Sequence, residues 1–259
     1  MAATGALLAG IVALPLLVLL ADAVPPLRDA TPGERAALLG SLRSATGLLL
    51  TSSALAGCVA AVTLVLGVPL GIALARLDVP LARAALLLHC VPMFLPPFVL
   101  ALGWFLVIGR EGILGSDTGS RMLFSRAGHV LVLACCLTPF VTALVALAAS
   151  GITPALEDAA RLVAGTRRVA VRILLPLTAP AATLGALVVF ALAFSELGVP
   201  MFLRVPAYPS TVLARLGGID FAPDEALALS LPLIAFASAV FAVERSLARR
   251  LRAPSLAWR

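Results

Sequence analysis

The chain has 259 residues, 61% of them hydrophobic and 12% charged, with a mean hydropathy of +1.10. Soluble domains carry about a quarter charged residues, so this composition excludes one and indicates an integral membrane protein. The formal net charge of +6 calls for no nucleic acid, because arginine near helix ends is what an anionic lipid surface selects.

A spanning helix needs roughly 20 predominantly apolar residues. Six windows free of Arg, Asp and Glu meet that need: 1–21, 44–75, 84–109, 127–156, 173–203 (interrupted only by Glu196) and 226–243. Runs of this length are helices, since membrane strands would show short alternating segments. The expected fold is all-α, a polytopic membrane protein with six transmembrane helices. The first window lacks a basic n-region and is long enough to span, so it reads as an uncleaved helix. The second, fourth and fifth exceed a bilayer's thickness and must tilt, kink or run into the interface. The polar stretches 22–43 and 110–126 are too short to bury a core of their own, and residues 1–259 read as one membrane domain.

Along the spans, few side chains offer chemistry. Cys58, Cys90, Cys135 and Cys136 sit in apolar windows, where cysteine behaves as a small hydrophobe, and no metal-ligand spacing occurs. His89 and His129 fall at window starts without a carboxylate nearby and read as interfacial packing. Ser150-Gly151 at a helix end is the pattern of rhomboid-type proteases, but no histidine follows His129 to pair with the serine. No catalytic residue is expected.

The prolines and one acid carry more. Pro69, Pro92, Pro96, Pro97, Pro139 and Pro232 lie within windows, each removing a backbone hydrogen bond. No single smooth helix accommodates Pro96-Pro97. Breaks of this kind line cavities in transporters, which makes Pro96 and Pro97 candidates for a translocation path. Ser195 and Glu196, in Phe-Ser-Glu-Leu-Gly-Val-Pro, are candidates too, because an intramembrane acid is a functional hypothesis by default. The alternatives for Glu196 are snorkelling to the interface or bonding a neighbouring helix.

Residues 151–180 form a charged yet helix-prone connector. Thr153 can cap a helix with Pro154 in its first position, and Glu157 and Asp158 early in that helix suit its dipole. Gly165 reads as the residue just past its end, and Thr166 as the cap of a second short helix ending before Pro176. A stiff lever with one exposed charged face is what docks a partner. All basic residues are arginine, 11 on the side of this connector and 8 on the other, so the positive-inside rule puts the connector and both termini in the cytoplasm.

This connector resembles the Glu-Ala-Ala loop of binding-protein-dependent ABC transporter permeases, whose pattern is Glu-Ala-Ala, three residues, Gly, then Ile-x-Leu-Pro. In one register Glu157, Ala159, Ile173, Leu175 and Pro176 fall in place with Val163 in the glycine slot. In the other, Asp158, Ala159 and Ala160 fit with Ala164 there, and Gly165 misses the slot in both. The span from Thr46 to Arg76 with Gly-Val-Pro-Leu-Gly, the stretch 91–97 and the Phe-Ser-Glu-Leu-Gly-Val-Pro-Met segment are most similar to the ferric-iron branch of such permeases.

The resemblance implies a type I importer permease in the inner membrane, paired with a second copy or a sister permease. It also implies cytoplasmic ATP-binding subunits and an extracytoplasmic solute-binding protein. Glu157, Asp158, Ala159, Ala160, Gly165, Arg167, Arg168, Ile173 and Pro176, within a coupling loop over 151–176, would then meet the ATPase. The chain has no Gly-x-x-x-x-Gly-Lys phosphate loop, so ATP belongs to a partner and no cofactor is expected here. Small residues Gly57, Ala60, Ala61 and Gly67 along one span suit close packing on the second copy. An ion-coupled secondary transporter is the alternative, for which only Glu196 qualifies as an intramembrane acid.

Overall fold

The computed structural model describes residues 31–76 and 81–217, together with the single residues Leu14, Val18 and Ser238. The windows 1–21 and 226–243 therefore lie outside the described residues almost entirely. All regular structure among the described residues is helical. In chain order the elements are α1 (Pro32–Arg76), α2 (Ala82–Cys90), a 3₁₀ turn (Val91–Phe94), α3 (Pro97–Ile108), α4 (Asp117–Leu123), α5 (Arg126–Ser150), α6 (Pro154–Val163), α7 (Thr166–Val169), a π turn (Ala170–Leu174), α8 (Leu175–Ser195), α9 (Gly198–Leu203) and α10 (Tyr208–Gly217).

Among the described residues three helices are long and apolar enough to cross a membrane: Ala45–Arg76, Arg126–Ser150 and Arg167–Ser195. A fourth span exists if the pair Ala84–Phe94 and Pro97–Ile108 counts as one, bent by 103° at its break. The expectation of six thus stands at three, or four, among the described residues. The bend falls where Pro96-Pro97 predicts it. Pro96 takes an extended backbone as the cap of α3 and Pro97 is its first residue, so neither ring meets a helical carbonyl.

Helix α1 begins at Pro32, inside the polar stretch 22–43, and runs 45 residues, with the span expected over 44–75 as its part Ala45–Arg76. One expectation about boundaries fails. The window 173–203 is not one span: the helix stops at Ser195, Glu196 is extended, and α9 starts afresh at Gly198. Apolar content alone does not distinguish a span from a span followed by a short second helix.

The chain divides into two compact units, Met1–Thr51 with Ala207–Arg259, and Ser52–Pro206. In the first, the described helices are the opening of α1 and α10, whose first turn is closed by Ser210 and Thr211 hydroxyls donating to Ala207 O. The second unit holds the remaining helices, and α5 is its axis. Fourteen of the 25 residues of α5 are buried, which makes it the helix that the others coat.

Val141 is the waist of this second unit. A Cβ on Gly67 of α1 would lie 2.9 Å from Val141 Cβ, and one on Gly71 would lie 2.7 Å from Thr142 O. From the other side, a Cβ on Gly185 of α8 would lie 3.3 Å from Val141 Cα. Lipid tails are as apolar as side chains, so helices in a bilayer associate through such close backbone approach rather than by escaping water. Gly67 and Ala60 are thus spent on packing within the chain, not against a second copy as the small-residue pattern suggested; Ala60 is buried in the same core. At the far end of α5, Phe105, Phe124 and Phe202 form an aromatic cluster with centroid separations of 6.0 to 6.2 Å.

Candidate functional site

The connector after α5 is built as two helices set at a corner. Thr153 is extended and Pro154 opens α6, as its sequence predicts, although the Thr153 hydroxyl makes no capping bond. The corner differs from expectation. Ala164, with φ −145° and ψ 144°, ends α6, and no glycine among the described residues adopts a positive φ. Gly165 therefore supplies no left-handed turn; its carbonyl accepts from Arg168 N and Val169 N and so starts α7. A Cβ at Gly165 would meet nothing within 4 Å.

The second helix does not end before Pro176. From Thr166 the chain stays helical to Ser195, through the π turn, in which Leu175 N donates five residues back to Ala170 O. Proline in a helix lacks its own donor and crowds the carbonyl four residues behind it. The wider π turn absorbs that misfit. Thr178 Oγ1 then donates to Leu174 O at 2.9 Å and to Leu175 O at 3.3 Å, satisfying carbonyls near the proline. The loop's second arm and the membrane span are one continuous rod.

Along the first arm, Glu157 and Asp158 occupy the second turn of α6. Ala159, Gly165, Arg167, Arg168 and Pro176 are exposed, while Ala160 and Ile173 are half-buried. Leu162 was not singled out by sequence, yet it is 88% exposed on α6. An isolated leucine in an apolar chain carries no signal until its surroundings are known. Arg76 was missed for the same reason. Its Nη2 donates to Ala149 O at 2.6 Å and to Ile152 O at 2.5 Å, tying the end of α1 to the last turn of α5 and to the first residues of the loop. Between α1 and the second arm lies a groove of about 670 Å³, lined by residues of 68–76 and by Arg161, Arg167 and 169–175.

The four path candidates converge. The break at Pro96-Pro97 meets the break at Glu196, since a Cβ on Gly198 would lie 2.9 Å from Phe98 Cβ. Glu196 does not snorkel: its Oε1 accepts from Gly198 N at 2.9 Å and from Val199 N at 3.3 Å, capping α9. Ser195 Oγ donates to Leu192 O and closes the end of α8. Cys136 is more than filler, because its thiol donates to Pro92 O at 3.4 Å, a carbonyl of the broken helix. Likewise His89 does not merely pack; its Nε2 is 3.1 Å from Thr142 Oγ1 on α5. Among the described residues no group of His, Cys, Asp and Glu could hold a metal ion.

No family model matches the chain. It is 36% identical over 113 residues to the molybdenum transport system permease protein ModB of Escherichia coli K12, a stretch covering 42% of this chain and 49% of that protein. The same protein from Escherichia coli O157:H7 matches to the same extent. The likeness is partial. The chain spans about half the length of the curated relatives it matches. Both are permease proteins of a transport system, in keeping with the membrane-crossing helices. Their solute is molybdenum, so the ferric-iron branch of the resemblance finds no support.

Proposed function

We propose that this chain is the permease subunit of an ATP-driven ABC importer, a single membrane domain over 1–259 whose loop at 151–176 receives a separate ATP-binding subunit. One observation carries the reading. The loop's second arm continues without interruption into the span, 29 residues from Arg167 to Ser195, about 43 Å of rigid rod. Its far end abuts the Glu196 break, which lies against the Pro97 break through Gly198 and Phe98. A displacement imposed at Arg167 and Arg168 is thereby delivered to the point where two spans are discontinuous and a path can open. The exposed Leu162 and the acids Glu157 and Asp158 on α6 offer the docking surface, and Ala159, Ala160, Gly165, Ile173 and Pro176 shape it.

In this reading the ATPase dimer biases an inward-to-outward equilibrium by gripping two such loops, on this chain and on a second copy or sister permease. Both termini and the loop face the cytoplasm of an inner membrane, and a solute-binding protein delivers cargo from the other side. The solute we propose is a molybdenum species, carried over from the partial relatives, in place of ferric iron. An ion-coupled secondary transporter would require Glu196 to load and release a cation, whereas its carboxylate is engaged with two backbone donors.

Purified with its ATP-binding subunits in vesicles, the complex is expected to hydrolyse ATP faster when loaded solute-binding protein is added. Uptake by the lone chain driven by an ion gradient, with no nucleotide, would overturn the proposal.

A further inference from the structure

The groove of about 670 Å³ between α1 and the loop's second arm has a sorted lining. Among the described residues twelve line it, nine of them apolar and the other three Arg76, Arg161 and Arg167. Arg76 is the last residue of one span and Arg167 the first of another, so the basic rim sits at a membrane boundary. From that rim the lining descends to Val68 on α1 and to Leu175 on the other wall, eight residues on each, or about 12 Å. One leaflet's share of a hydrocarbon core ~30 Å thick is about 15 Å. The groove thus has the depth of a single acyl chain, with positive charge at its mouth.

We propose that this groove seats one anionic phospholipid, one acyl chain lying between α1 and the second arm and its phosphate meeting Arg161 and Arg167. Arg161 and Arg167 are exposed at the surface and carry the charge that selects the headgroup. Arginine suits this role because its planar fork meets phosphate with two parallel donors. An apolar trough beside a water-facing rim takes neither a polar solute nor a free ion along its length; an amphiphile satisfies both parts. Arg161 stands on the first arm and Arg167 on the second, so the headgroup bridges the corner at Ala164 and steadies the loop against the membrane. The proposal rests on membrane embedding, not on ATP coupling, and its test is separate from that of the transport reading.

The full chain purified in detergent is exchanged against equal phosphatidylglycerol and phosphatidylcholine of identical acyl chains, and retained lipid is counted by native mass spectrometry. Wild type is expected to retain one phosphatidylglycerol in preference. The double variant Arg161→Gln/Arg167→Gln is expected to lose that preference roughly thirty-fold, which corresponds to about 2 kcal/mol for two arginines at an anionic surface. Arg168→Gln, outside the lining, should leave it unchanged, and Ala170→Phe, which fills the trough, should abolish retention of both lipids while the thermal midpoint of the purified protein holds. Equal retention of the two lipids by wild type would overturn the proposal. So would displacement of the bound lipid by millimolar inorganic phosphate, which would mark a free-anion site, or an unchanged preference in the double variant.

Discussion

The guanidinium of Arg76, at the end of α1, donates to the carbonyl of Ile152, 76 residues further along the chain and two residues before α6 begins. Together with the bond to Ala149 O, it fixes where the loop leaves the membrane span. Hydrogen bonds from a charged donor contribute about 1.5 to 3 kcal/mol each. Arg76→Leu is therefore expected to lower the thermal midpoint of the purified protein by several degrees and to speed proteolysis within 152–165. An unchanged midpoint and cleavage rate would show that the loop is held by other contacts.

The waist at Val141 gives a packing prediction. Gly71→Val places side-chain carbon where Thr142 O already stands, 2.7 Å from the first carbon added, and overpacking of this kind costs about 1 to 3 kcal/mol. Gly185→Ala, at 3.3 Å, should cost less, and Gly165→Ala should cost nothing, since its surroundings are open. Thermal midpoints that fail to follow that order would mean that α1 and α8 do not close on α5 in this way.

Docking is tested on α6. Leu162→Glu and Glu157→Lys are each expected to cut ATP-driven uptake by at least tenfold while membrane insertion stays at wild-type level. Leu162, 88% exposed on α6, supplies the apolar part of the proposed contact. Wild-type uptake in both variants would remove the loop from the coupling path. Gly165→Pro is a poor probe here, since Ala164 is already extended as a residue before proline must be.

Orientation is open to labelling. In a cysteine-free background, cysteines at Thr166 and Ser255 should be shielded from a membrane-impermeant thiol reagent in intact cells, and one at Ser116 should react. The reverse pattern would place the loop outside and deny a cytosolic ATPase access to it.

What the sequence made legible follows from what local chemistry determines. The spans Ala45–Arg76 and Arg126–Ser150 were readable from the windows 44–75 and 127–156, because charge-free runs of that length suit a bilayer-crossing helix, and Pro96-Pro97 announced its own break. The end of α8 at Ser195 was not readable, because Glu196 caps a new helix through Oε1 only once Gly198 and Val199 have turned toward it. Gly165 misled for a related reason. Glycine permits a left-handed turn but does not require one, and an extended Ala164 served instead. The ties from Arg76 to Ala149 and Ile152, from His89 to Thr142 and from Cys136 to Pro92 join residues 44 or more positions apart, beyond the reach of any periodicity.

The π turn at Ala170–Leu174 has one more consequence. An α-helix advances about 100° around its axis per residue, and a π turn houses one residue more than the α ladder would. The rod from Arg167 to Ser195 is therefore out of phase with itself by that angle: the side on which Arg167 and Arg168 stand is offset from the side on which Gly185 meets Val141. Removing one residue from 170–174 would swing Gly185 off Val141 or swing the arginines toward lipid. A point substitution leaves the count, and so the phase, intact. The loop's bearing on its own span is kept as an integer, guarded by Pro176.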